Sequence, residues 1–337
     1  MRTPVTVGVI GLGAWGPNLV RVFDELPGAD LRWICDSSSA AVLRAKAHVR
    51  AARATASVDE LLADESLDAV VVATPPSTHY PLARRAVDAG KHVLVETPLA
   101  LRGEDADALV HLAEASGRHV MAGHVLLFDP AVRRLKELVD HGRLGELYYL
   151  TSQRLGPLRV PREENALWDL GAHDVSALLY LVGDEPIEAR AHADEYGQPG
   201  LADVILAALT FATGIRAHIH LSWLEARRTR RITAVGSERT AILDNAESER
   251  RLTLWERDPL ADVLSPGLAA LEPLRVECEH FLAAVRSGAE AVAGVREAAA
   301  VVNVLEALQR SLERDGAPEA VGATQPTPGV LPFPART

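Results

Sequence analysis

The stretch that most constrains this chain lies at its start, where Val5 to Ile10 run directly into Gly11-Leu12-Gly13-Ala14-Trp15-Gly16-Pro17-Asn18. Val5, Val7, Val9 and Ile10 make the short apolar run of a central parallel strand, and the three glycines follow at G-x-G-x-x-G spacing. In that spacing the first glycine permits a sharp turn, the second lets the backbone approach a pyrophosphate, and the third lets the new helix pack on the strand. The helix N-terminus then faces the phosphates. Pro17 suits the first helical turn, where a missing N–H removes no hydrogen bond. Gly11, Gly13, Ala14, Trp15 and Gly16 are therefore expected to line a dinucleotide.

The second half of the fingerprint is an acid. Leu31 to Cys35 reads as another strand and ends in Asp36, twenty residues past Gly16, where a carboxylate binds the adenosine ribose hydroxyls. A carboxylate there repels a 2′-phosphate, and Ser37, Ser38 and Ser39 follow it rather than arginine, so NAD is favoured over NADP. Asp36 can equally cap the next helix, and the two roles are compatible.

At 337 residues the chain has room for two domains. Its net charge of −11 argues against a nucleic-acid surface, and no basic run suggests an anionic membrane. Cys35 and Cys278 lie far apart and form no metal-ligand pattern, so a reducing, cytoplasmic setting is expected. No charged-then-apolar leader precedes the first strand, and no apolar run approaches the roughly 20 residues of a membrane span.

Down to about residue 123 helix and strand signals alternate, with helices expected over 18–26, 38–51, 58–63, 80–89 and 105–115 and strands over 69–73, 92–95 and 119–122. This alternation implies a doubly wound parallel sheet with its ligand across the strand C-termini. Beyond Gly123 come helices over 130–139 and 168–181, then strand-like segments from Ile187 to Trp255. His218-Ile219-His220-Leu221 alternates as an antiparallel strand with one covered face does. Two helices, near 271–286 and 296–314, follow. The expected organisation is α/β: a Rossmann domain over 1–123, an α+β domain with an open antiparallel sheet over 124–315, and a proline-rich tail over 316–337.

Two loops follow strands: Ala73-Thr74-Pro75-Pro76-Ser77-Thr78-His79-Tyr80 and Glu96-Thr97-Pro98-Leu99-Ala100. With the opening fingerprint and Trp168-Asp169-Leu170-Gly171-Ala172-His173-Asp174, they resemble the glucose-fructose oxidoreductase and inositol dehydrogenase family, Gfo/Idh/MocA. The resemblance implies a Rossmann domain followed by an open sheet that often mediates oligomerisation, and oxidation or reduction of a secondary alcohol of a sugar or cyclitol with a nicotinamide cofactor. It places Thr74 and Pro75 beneath the cofactor and His79 as their support, although His79 can also simply start a helix. It gives Pro98 a cis peptide that presents Thr97 to the nicotinamide beside Glu96.

Asp169 and His173 stand i, i+4 and share a helix face. Hydride transfer from a carbinol needs its proton removed, for which an imidazole is a natural base and a nearby carboxylate can orient it. The family pattern gives these positions that task; the alternative is an exposed helix pair worth a few tenths of a kcal/mol. Gln153-Arg154 and Asn165-Ala166-Leu167-Trp168 resemble the branch acting at C3 of nucleotide-linked sugars, with Arg154 suited to a pyrophosphate or carboxylate, Asn165 to hydroxyls and Trp168 to sheltering the ring. A surface ion pair for Arg154 and a core position for Trp168 are the plainer uses. His119 and His124 flank a strand end without a matching ligand set, so no metal centre is expected.

Where the family usually reads Glu-Lys-Pro, this chain has Thr97. A threonine hydroxyl makes a hydrogen bond but carries no charge for a developing alkoxide. Three readings stay open: an NAD-dependent sugar oxidoreductase with His173 as acid/base, a sensor or scaffold that binds NAD and sugar without turnover, and an enzyme with tightly held NAD that drives a redox-neutral elimination or epimerisation. A homodimer or homotetramer is expected, because the open sheet face needs a cover.

Overall fold

A computed structural model describes residues 3–49, 51–157, 164–197, 199–245, 251–256, 267–268 and 271–322. Its first half alternates strand and helix: β1 (Val5–Ile10), α1 (Gly16–Glu25), β2 (Ala29–Cys35), α2 (Ser39–Lys46), β3 (Arg53–Thr55), α3 (Val58–Leu62), β4 (Ala69–Val72), α4 (His79–Asp88), β5 (His92–Val95), α5 (Gly103–Ser116) and β6 (Val120–Ala122). The six strands pair in parallel in the order β3-β2-β1-β4-β5-β6. Central strands of such a sheet are covered on both faces, which is why Ala69 to Val72 are all buried. The helix expected over 38–51 ends at Lys46, because the chain must turn back to lay β3 beside β2.

Chain order reverses between β1 and β4, and the glycine turn sits at that point. Gly11 has φ +96° and lies so near the end of β4 that a Cβ would stand 2.4 Å from the Ala73 carbonyl oxygen. At Gly16 a Cβ would stand 2.0 Å from the Gly11 oxygen, so the turn and the helix start close on each other only as glycines. Pro17 occupies the first turn of α1 as expected, and Leu19, Val20, Val22 and Phe23 bury its inner face.

The second half contains α6 (Pro130–Asp140), β7 (Leu147–Leu155), α7 (Ala166–Val182), β8 (Pro186–Asp194), β9 (Val204–Phe211), β10 (Arg216–Ser222), β11 (Thr229–Gly236), β12 (Arg239–Asp244), β13 (Leu252–Glu256), α8 (Pro273–Ser287), α9 (Val295–Leu312) and β14 (Glu319–Ala320). Its eight-stranded sheet has the order β13-β12-β11-β7-β10-β9-β8-β14. The expected antiparallel pattern holds except for β7 and β10, which pair in parallel. The cause is topological: β7 lies between β10 and β11, which run oppositely, so it must be parallel to one of them. One sheet face, with Leu150, Ile219, Ile232 and Leu243, packs on α7 and α9. Gly171 of α7 makes that contact close, since a Cβ there would stand 3.1 Å from Leu305 and 3.3 Å from Leu221.

The last two helices bind the halves together. Leu274, Cys278, Phe281 and Leu282 of α8 join the core of β1 and α1. Helix α9 places Ala298 and Val302 in the other core layer of the first sheet, and Val301, Val304 and Leu305 in that of the second. Within the stretch expected as a tail, Glu319 and Ala320 pair with β8; residues 323–337 lie outside the described residues.

Gly11→Ala is expected to lower stability by at least about 1–3 kcal/mol from the left-handed backbone alone. It should show as a melting temperature several degrees lower. Gly13→Ala, with nothing within 4 Å of the new methyl group, should leave that temperature unchanged.

Candidate active site

The dinucleotide end is built almost entirely from backbone. Asp36 accepts from Leu12 N at 2.7 Å with one carboxylate oxygen and from Ser38 N at 2.7 Å with the other. It therefore ties the end of β2 to the glycine turn, while the cap of α2 is Ser38, whose hydroxyl accepts from Ala41 N. Gly13, Ala14 and Trp15 form an exposed lip above this junction. The empty space beside the Gly13 Cα is the room a pyrophosphate needs, so the turn fits the dinucleotide its spacing implies.

Beyond β4, Thr78 Oγ1 donates to the Pro75 carbonyl at 2.7 Å and lies 2.7 Å from Thr74 Oγ1. His79 is buried with Nδ1 2.7 Å from the Pro98 carbonyl and Nε2 2.8 Å from the Thr74 carbonyl. A neutral imidazole has one N–H, so it donates to one of these carbonyls and only protonation would serve both. Burial holds its pKa below the usual value, and the two carbonyls oppose that shift. His79 thus starts α4, as its plainer reading required, and also staples the Thr74-Pro75 turn to the Pro98 turn.

The Thr97-Pro98 peptide is cis. Glu96, at the end of β5, lies across Gly123, where a Cβ would stand 2.9 Å from its carboxylate. Burial raises the Glu96 pKa to about 7, while the Thr97 backbone and the Trp15 side chain hydrogen-bond it and favour its charged form. A second carboxyl, Glu277 of α8, is buried with Oε1 unpartnered and is pushed far up by burial and by Glu96.

Helix α7 packs on Val125–Phe128, just after β6. His173 is partly exposed, yet its Nδ1 is buried without a partner. Burial holds its pKa well below 6.5, reinforced by Arg154, His124 and Arg230. Neighbouring His124, after β6, is fully buried with neither ring nitrogen partnered and is lowered to about 4. Asp169 shares the His173 face but does not orient that ring; its carboxylate accepts from Trp223 Nε1 at 3.2 Å. Trp223 directly follows β10, so sheet topology rather than helix spacing chose the partner.

Arg154 is buried rather than a solvated surface group. Its Nε donates to Asp174 of α7 in a buried ion pair, and Ser152 donates to the other Asp174 oxygen. Directly opposite it in the β7–β11 register stands Arg230, whose Nη1 donates to the Leu155 and Thr229 carbonyls at 2.8 Å each. Arg230, Trp223 and the neighbourhood of His124 and His173 carried no signal in the sequence, because only strand register and the return of β6 bring them together.

Asn165 and Trp168 lie elsewhere. Asn165 caps α7 by accepting from Leu167 N and Trp168 N, and its amide donates to Gln309 at 3.0 Å. Five residues apart, Trp168 and His173 are about 140° apart around the helix. The Trp168 side lines a cleft of about 570 Å³ with Asn165, Leu101, Glu306 and Gln309. His173 is not among the residues that line this cleft. Among the described residues no group of three or more histidine, cysteine, aspartate or glutamate side chains could hold a metal, and no helix is long and apolar enough to cross a membrane.

A parallel sheet with a fingerprint turn at its switch point, joined to a second sheet whose covering helix carries a histidine beside the end of β6, defines an NAD-binding oxidoreductase. Profiles of the Gfo/Idh/MocA family match it twice: the NAD-binding Rossmann fold over residues 5–124 and the C-terminal domain over residues 132–242. The chain belongs to this family. It is 31% identical over 327 residues to UDP-N-acetylglucosamine 3-dehydrogenase of Acidithiobacillus ferrooxidans, covering 93% of this chain and 99% of that one. An inositol 2-dehydrogenase of Rhizobium meliloti is 28% identical over 277 residues, 76% of this chain and 81% of the relative. The solved structure of the Acidithiobacillus enzyme superimposes with a TM-score of 0.84 at 28% identity, covering 93% and 99% of the two chains. GenD2 from gentamicin A biosynthesis, in complex with NAD, does so with a TM-score of 0.84 at 26% identity over 96% and 98%.

The raised Glu96 pKa has a sign that can be tested. Between the ordinary value near 4.5 and about 7 the folded chain holds a proton that the unfolded chain has lost, so stability falls as pH rises through that window. Glu96→Gln should melt higher than the natural protein above pH 7 and lose that advantage below pH 4.5, as thermal denaturation across pH will read.

Proposed function

We propose that the chain is an NAD-dependent dehydrogenase or ketoreductase acting at a secondary alcohol or ketone of a sugar, at C3 of a nucleotide-activated one. The carrying observation is His173, a neutral imidazole with its Nδ1 unpartnered, near His124 at the end of β6. The Acidithiobacillus relative, aligned over nearly its whole length, supports the substrate class.

In this reading Gly11, Gly13, Ala14, Trp15 and Gly16 bind the pyrophosphate, Asp36 the ribose side, and Thr74, Pro75, His79, Glu96 and Thr97 the nicotinamide half. NAD, when bound, supplies the acceptor for the carbinol hydride. His173 takes the hydroxyl proton at Nε2 in the tautomer that keeps the other proton on Nδ1, and returns it in the reverse direction. Because its pKa is held low, the ring is ready to accept at neutral pH. Asp169 acts at a distance, fixing Trp223 at the mouth of β10. Thr97 contributes one hydrogen bond to the reacting oxygen where relatives use a cation. Asn165 and Trp168 border a separate cleft and serve the more distant part of the substrate.

The outer face of the second sheet supports a homo-oligomer. Tyr149, Leu206 and Trp255 stand exposed on it at 40%, 53% and 48%, and the strand register puts all three on one side. Light scattering at micromolar protein should give a multiple of 36.2 kDa; a monomer mass would overturn this.

Purified protein incubated with NAD and a panel of nucleotide sugars, followed by NADH absorbance and product mass, tests the activity. NADH should form, and His173→Ala should lower kcat by about a hundredfold or more. The acid limb of kcat/KM in the oxidative direction should fall well below pH 6.5, since protonation of His173 there removes the base. A changed sugar without NADH would favour the redox-neutral reading, binding without turnover the sensor. Unchanged turnover in His173→Ala would remove the catalytic assignment.

A further inference from the structure

Arg154 and Arg230 are paired directly across β7 and β11, on the sheet face that α7 covers. Two guanidinium groups side by side need compensation, and the structure compensates only the first. Both oxygens of Asp174 are taken, one by Arg154 and one by Ser152, in a buried pair with side chains 10% and 3% exposed. Arg230 receives no carboxylate hydrogen bond from the described residues. Its Nη1 is fixed by two backbone carbonyls, which orient the group without neutralising it. Burial lowers its pKa to about 10, with Arg154 and Arg228 adding to the shift and Asp174 and Asp169 opposing it only at longer range. A preorganised, half-buried and under-compensated guanidinium near His173 is the arrangement that receives an anion.

We propose that Arg230 binds an acidic substituent of the substrate, a phosphoryl group or a carboxylate, with Arg154 held behind it as a fixed second cation. The assignment rests on the substrate side of the site described under the proposed function, and it moves anion recognition from the strand residue that the motif indicated to the one opposite it. Arg154 then acts as a positioning residue, its Nε already committed to Asp174. Asp174, immediately after His173 on α7, compensates Arg154 and so offsets part of its repulsion of Arg230.

Titration calorimetry on the NAD-loaded protein, with UDP, UDP-N-acetylglucosamine and glucuronate as probes, tests this. Arg230→Gln should weaken the anion that binds by at least about tenfold, the loss expected for one charged hydrogen bond. It should flatten the salt dependence of that binding and leave NAD affinity and melting temperature unchanged. Arg230→Lys should recover part of the affinity, since the charge returns without the planar fork. Weakened UDP identifies a phosphoryl group and weakened glucuronate a carboxylate. Wild-type protein that binds none of the three, or Arg230→Gln that binds them as tightly as wild type, overturns the proposal. Turnover of a nucleotide sugar with KM unaltered in Arg230→Gln would remove the anion site and keep the activity. Arg230-dependent anion binding with no turnover of any nucleotide sugar would keep the site and remove the activity.

Discussion

The close approach of Gly11 to the end of β4 is the contact on which the rest depends. At the reversal of strand order the chain leaving β1 must pass over the last residues of β4, and only a residue without Cβ clears the Ala73 carbonyl. With that passage open, Gly16 can close on Gly11, α1 can start against the sheet, and Asp36 can reach Leu12 N from the neighbouring strand. The same carbonyl run continues into the Thr74-Pro75 turn, whose position His79 then transmits to Pro98. A dinucleotide groove made this way consists of backbone at fixed spacing. The side chains that brace it, Asp36 and His79, do so through backbone groups.

The second half works on the opposite principle. Its chemical groups are long or titratable side chains, and what keeps them in place is the burial of apolar surface at some distance. Helix α9 is part of a core layer of both sheets, so it couples the position of α7 to that of the parallel sheet. Gly171, pressed between Leu305 and Leu221, brings α7 onto its neighbours at the level where Asp169 and His173 emerge. Removing solvent from this junction also sets its electrostatics. His124 and His173 favour the neutral form, Glu96 and Glu277 hold protons more tightly than free carboxyls, and Arg230 stays charged.

A positive field beside neutral bases suits chemistry in which a substrate brings the negative charge. In water the arginines would be screened, whereas in this partly dry junction each unmatched guanidinium attracts an anion over several ångströms. Thr97 brings no charge of its own to that setting, but the wall of α7 and β11 carries cations. They lie near His173, however, and they come from another part of the chain.

What the sequence by itself determined follows from short-range rules. Glycine spacing, apolar runs and helix periodicity act within a few residues, so the strand-turn-helix opening, the Asp36 position, the alternation to residue 122 and the shared face of Asp169 and His173 were all legible. Tertiary structure decided every pairing between distant segments. It put β7 between β10 and β11, set Arg230 against Arg154, gave Asp169 to Trp223, enclosed Arg154 with Asp174, and moved Asn165 and Trp168 to another cleft. It also folded α8 back onto the first sheet. The physical reason is that a local pattern specifies which side of an element is apolar but not which surface will cover it. Register between strands far apart in the chain is chosen by the packing of the whole core, and the partners of polar groups follow from that choice.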